Sequence, residues 1–116
     1  MEIIKRDVTG HYETAKQRVR QKAYYLIKQE KVKSLKFGYT SNTNDRCRLY
    51  QSKGSRYNVM YLIYSTLSPD YMRLMEDYLI TTYPDLCDNS IRGGGGNIGK
   101  PPYFTYCVTH IPKKYM

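Results

Sequence analysis

Residues 23–50 run AYYLIKQE (23–30), KVK (31–33), SLKFGYT (34–40) and SNTNDRCRLY (41–50). In the first run Tyr25 and Ile27 fall on one side of an extended chain, and Tyr24, Leu26 and Lys28 on the other. In the second, Leu35, Phe37 and Tyr39 alternate with Lys36, Gly38 and Thr40. The polar break 31–33 between them predicts a β-hairpin of strands 23–30 and 34–40. Gly38 in mid-strand packs poorly and marks a bulge or the close approach of another group. Ser41 to Asp45 is dense in N-cap residues, so a helix is expected from about Asn44 to Gly54. Arg46, Tyr50 and Lys53 then share one helical face.

Outward from this segment, 56–67 reads as a third strand with both faces apolar, as in a central strand. Ser68-Pro69-Asp70 begins a helix: a cap, proline in the first turn, and an acid at the positive end of the dipole. That helix is expected to end near Tyr83, before Pro84. Its apolar stripe is Met72, Met75, Leu79, Ile80 and Tyr83, and Glu76 lies within it. A carboxylate on a core-facing stripe is costly unless something pairs with it, such as a metal ion or Arg46 or Arg48. Residues 86–100 form a glycine-rich loop carrying Asn89, Arg92, Asn97 and Lys100. It lacks the Gly-Lys-Ser/Thr of a Walker motif and reads as a flexible loop over a site. The segment 101–116 is proline-broken, with an edge strand over 103–108 and a basic end.

Residues 1–22 carry Lys5, Arg6, Lys16, Arg18, Arg20 and Lys22 against Glu2, Asp7 and Glu13. They read as a basic arm or surface helix suited to phosphate contact without base readout. The whole chain of 116 residues fits one domain, and its formal charge of +9 points to a polyanion, with nucleic acid first. Tyrosine, at 14 residues against two Phe and no Trp, must supply much of the aromatic core and needs hydroxyl partners there. Three cysteines without CxxC spacing and two histidines argue against a zinc site or a disulfide framework. No apolar run approaches a membrane span, and the N-terminus has no signal-like stretch, so an intracellular location is expected.

Phosphodiester hydrolysis needs an oriented water, a cation against the phosphate, and help for the leaving oxygen. Tyr25 or Lys36 near the water, Arg46 on the phosphate and Glu76 on a divalent ion would meet those needs. Taken singly each has a plainer reading: a core tyrosine, a strand-surface lysine, a solvated arginine, a paired glutamate.

In order and spacing, this set resembles the GIY-YIG endonucleases. Ala23-Tyr24-Tyr25 stands for the first tripeptide and Lys36-Phe37-Gly38 for the second, with Arg46 at the spacing of the family's arginine. The resemblance covers roughly 22–100. It implies an α+β domain, a small three-stranded antiparallel sheet flanked by helices, over 23–100, with 1–22 as an arm and 101–116 as an extension. It also implies cleavage of DNA, RNA not being excluded, with one Mg²⁺ or Mn²⁺ per site. By the same resemblance Tyr25 is the base or water-orienting group, Arg46 the phosphate ligand and Glu76 the metal ligand. Lys36, Tyr50 and Asn89 (or Asn97) support them, Tyr50 falling where some members carry a histidine. Arg48, Lys53, Arg92 and Lys100 are expected on the nucleic acid. Ala23 and Lys36 depart from the family's glycine and tyrosine; the Lys-Phe-Gly-Tyr-Thr form is similar to a phage and large-DNA-virus branch. The alternative is a non-catalytic nucleic-acid-binding or regulatory module on the same fold. One site cuts one strand per binding event, so a double-strand break implies a homodimer or successive nicks by a monomer.

Overall fold

The computed structural model describes residues 1–29, 32, 34–52, 54–84 and 99–115. The elements in order are β1 (Glu2–Val8), α1 (Tyr12–Lys28), β2 (Ser34–Thr40), α2 (Thr43–Ser52), β3 (Val59–Thr66), α3 (Pro69–Thr82) and β4 (Tyr103–His110), followed by a 3₁₀ turn, Lys113–Tyr115. The four strands form one mixed sheet in the order β1-β3-β4-β2. β1 lies parallel to β3, while β4 is antiparallel to both β3 and β2. The α+β class stands; the sheet has four strands rather than three, and it is not wholly antiparallel.

The largest difference lies at 23–30. Residues 23–28 are not a strand but the C-terminal part of α1, so the hairpin with 34–40 does not form. A boundary drawn between 22 and 23 falls inside that helix. The buried positions Ala15, Val19, Ala23 and Leu26 recur at helical spacing, and they outrank a five-residue alternation too short to separate the two periods. His11 caps the helix through Nδ1, which accepts from the Glu13 amide at 3.1 Å. Residues 2–8 are correspondingly not a loose arm but an edge strand.

The remaining elements follow their local signals. Asn42 Oδ1 accepts from the Asp45 amide at 3.0 Å to start α2. Gly54, at φ +65°, ends it with a Schellman pair of bonds: Ser55 N–H to the Tyr50 carbonyl and Gly54 N–H to that of Gln51, both at 3.1 Å. The Ser68 hydroxyl caps α3 by accepting from the Tyr71 amide at 3.2 Å. β3 lies inside the sheet between β1 and β4, which explains its apolar character on both faces. β4, expected at an edge, lies between β3 and β2.

The sheet separates two cores. On one face α1 and α3 cover Leu35, Phe37, Val59, Tyr61, Ile63 and Cys107. On the other, Cys47 of α2 packs with Met60, Leu62, Tyr106 and Val108. Among the described residues no helix is long and apolar enough to cross a membrane.

Candidate functional site

The site grows from the pairing of β2 with β4. Gly38 lies directly opposite Tyr106, and the two occupy the α2 face of the sheet. The Tyr106 ring lies flat across the glycine. A Cβ at position 38 would come within 2.3 Å of the Tyr106 hydroxyl and 2.4 Å of Cζ, so only glycine admits this ring. Here is the close approach that a mid-strand glycine implied.

From there the Tyr106 hydroxyl reaches Tyr50 of α2, oxygen to oxygen 2.9 Å, with the rings edge-to-face at 6.2 Å. Tyr106 is almost wholly buried, and Tyr50 is half-buried. Burial pushes both phenols above the ordinary tyrosine range. Their mutual bond acts unequally, raising Tyr106 and lowering Tyr50. Either hydroxyl can donate in this bond, and Tyr50, the less buried, is the readier of the two to lose a proton. Arg46, one helical turn before Tyr50, favours ionisation of both phenols, whereas the Glu76 carboxylate opposes it. Arg46, Tyr50, Glu76 and Tyr106 thus share one electrostatic neighbourhood, although they come from α2, α3 and β4.

Glu76 is only 5% exposed, held on α3 beside Met72, Met75, Leu79 and Ile80. Its carboxylate is a hard oxygen ligand in the field of two phenols and a guanidinium. A Mg²⁺ ion held by a single carboxylate fills its remaining positions with water and substrate phosphate oxygens, so this donor chemistry fits such an ion. Lys36 stands two residues from Gly38 on the same side of β2, about 7 Å along the strand. Lys100 is exposed beside Gly99, whose Cα packs against the Ser41 side chain where β2 leads into α2.

The other expected site residues are placed differently. Tyr25 is 73% exposed on α1, which covers the opposite face of the sheet. It does not share a face with Tyr50 and Tyr106, because the segment that was to carry it as a strand is a helix. Arg48 is exposed and ion-paired with Asp45 of its own helix at 2.9 Å, and not with Glu76. Lys53, Asn89, Arg92 and Asn97 lie outside the described residues. The residue missed in the sequence is Tyr106. Its signals were the unexplained Gly38 and the alternation over 103–108.

Comparison with protein-family models, curated proteins and solved structures returns no match.

Proposed function

We propose that the chain is a divalent-metal-dependent nuclease that hydrolyses DNA phosphodiester bonds around the Tyr50–Tyr106 pair, between Arg46 of α2 and Glu76 of α3. The observation that carries this reading is the Tyr106–Tyr50 hydroxyl pair, laid over Gly38 and set between the opposed charges of Arg46 and Glu76. In this mechanism Glu76 would hold Mg²⁺ or Mn²⁺, which when bound would supply positive charge against the phosphate oxygens. Arg46 adds a guanidinium suited to two phosphate oxygens at once. The Tyr106 hydroxyl bonds to that of Tyr50 and fixes its orientation. Tyr50 orients the attacking water and, as the phenolate, takes its proton; burial disfavours that form, and the Tyr106 bond and Arg46 offset part of that cost. Lys36 contributes a further cation on the same strand face.

The resemblance to GIY-YIG enzymes is kept in altered form. Lys36-Phe37-Gly38, Arg46 and Glu76 retain their order, but the tyrosine comes from β4 instead of 23–25. β4 is antiparallel to β2, the arrangement the family's first strand was expected to have. We therefore infer a permuted chain order, with the first-motif strand last in sequence. Relaxation of supercoiled plasmid by wild type and Glu76→Ala, with Mg²⁺, Mn²⁺ or EDTA, tests the function. Metal-dependent nicking lost in the variant is expected; equal cutting by both proteins, or cutting in EDTA, contradicts it. A binding-only module is the second reading, favoured by Arg18 and Lys22 of α1, which form no ion pair among the described residues, and it predicts salt-sensitive DNA binding with no metal-dependent cleavage.

A further inference from the structure

Between the outer strand β1 and the C-terminal half of α1 runs an open groove of about 600 Å³, on the face of the sheet away from Tyr106. Arg6, Arg18, Lys22, Tyr25, Gln29 and Tyr61 are among the residues lining it. Four of these follow α1 at positions 18, 22, 25 and 29, a single helical stripe aimed at one place. Arg6 comes from β1, near enough to the Tyr61 hydroxyl to favour its ionisation.

Three properties of the groove exceed what a solvated basic surface requires. First, among the described residues no carboxylate forms an ion pair with Arg6, Arg18 or Lys22, whereas Lys16, Arg48 and Arg73 all have acidic partners. Second, the Tyr25 ring is 73% exposed and has no ring or hydrogen-bond contact among the described residues. Its neighbour Tyr24 is capped by the Lys28 ammonium at 5.0 Å. Third, the Gln29 Oε1 is buried with no hydrogen-bond partner among the described residues. A native acceptor left so is uncommon and is satisfied once a donor enters beside it. Clustered cations fit phosphate, an open aromatic face fits a base, and a side-chain amide fits a base edge. The volume lies in the range of small-ligand sites.

We propose that this groove binds a nucleotide unit, its phosphate held by Arg6, Arg18 and Lys22 and its base stacked on Tyr25. The unit comes either from a single strand of nucleic acid or from a free nucleotide. Binding here stands on its own observations and holds whether or not the α2 face cleaves.

The test is fluorescence anisotropy of a short labelled oligothymidylate in EDTA, titrated with wild type, Arg18→Ala, Tyr25→Ala, Tyr25→Phe and, as a surface-charge control outside both sites, Arg73→Ala. Loss of a phosphate contact in Arg18→Ala is expected to weaken binding and to reduce the log–log salt slope by about 0.7. Loss of the ring in Tyr25→Ala is expected to weaken binding about tenfold with the slope unchanged, and Tyr25→Phe is expected to bind as wild type. Both positions are exposed, and coincident melting curves exclude misfolding as the cause. Competition by thymidine monophosphate assigns the groove to a free nucleotide; competition only by unlabelled strand assigns it to nucleic acid. Wild-type affinity in both Arg18→Ala and Tyr25→Ala overturns the proposal, as does a loss confined to Arg73→Ala.

Discussion

The two faces of the sheet use tyrosine in opposite ways. On the α2 face Tyr50 and Tyr106 are turned inward, bonded to one another at 2.9 Å, and pushed up in pKa by burial. On the α1 face Tyr25 stands in solvent beside cations that form no ion pair among the described residues. An inward, hydrogen-bonded phenol is fixed in position and tuned by its neighbours, as proton transfer requires. An outward ring offers a flat apolar surface and leaves its hydroxyl to water, as stacking requires. The difference suggests a division of labour, with chemistry on one face and hold on the nucleic acid on the other.

The largest effect expected from breaking that division is Glu76→Gln. It keeps the shape and removes the charge, and should lower the cleavage rate by about 10³-fold, several kcal/mol of transition-state stabilisation. Oligonucleotide affinity in EDTA should not change. Tyr50→Phe should cost about 10²-fold in single-turnover rate. For wild type the rate should rise with pH from neutrality into the alkaline range as the phenolate fraction grows. In Tyr50→Phe that rise should flatten.

Gly38→Ala strikes the packing beneath the same pair. The new methyl meets the end of a ring that is itself buried and cannot retreat, so a loss of about 1–3 kcal/mol is expected in urea unfolding. Shortening the ring in Gly38→Ala/Tyr106→Leu should recover part of it. Alkaline stability gives a smaller effect. The folded-state pKa values of Tyr50 and Tyr106 are raised, so their contribution is complete below the unfolded tyrosine value near pH 10 and falls as pH rises above it. The melting temperature should decline more steeply above pH 10 in wild type than in Tyr106→Phe. Smallest of all is Tyr25→Phe, which should leave cleavage rate unchanged and stability within about 0.5 kcal/mol.

What the sequence disclosed depended on the range over which each signal acts. The caps at Asn42 and Ser68, the Schellman turn at Gly54 and the apolar β3 are local, and those elements lie where local chemistry puts them. Glu76 was legible because a carboxylate on a regular apolar stripe is an anomaly within a few turns. Residues 2–8 and 23–30 were not. β1 is an edge strand with charges on much of its surface, and of its seven residues only Val8 is buried, so its alternation is weak. The run AYYLIK has aromatic and β-branched character suited to a strand, and tertiary packing of Ala23 and Leu26 overrode that preference. Tyr106 was hidden for a different reason. Gly38 announced that something must come close, but its partner lies 68 positions away in the chain, and strand pairing at that distance leaves no local mark.

The central claim is that any phosphodiester chemistry belongs to the α2 face and not to Tyr25. The most direct measurement is plasmid nicking in Mg²⁺ by Tyr50→Phe, Tyr106→Phe and Tyr25→Phe in parallel with wild type. The account predicts impaired cleavage in the first two and wild-type cleavage in the third. Full activity in Tyr50→Phe and Tyr106→Phe with loss in Tyr25→Phe would contradict it.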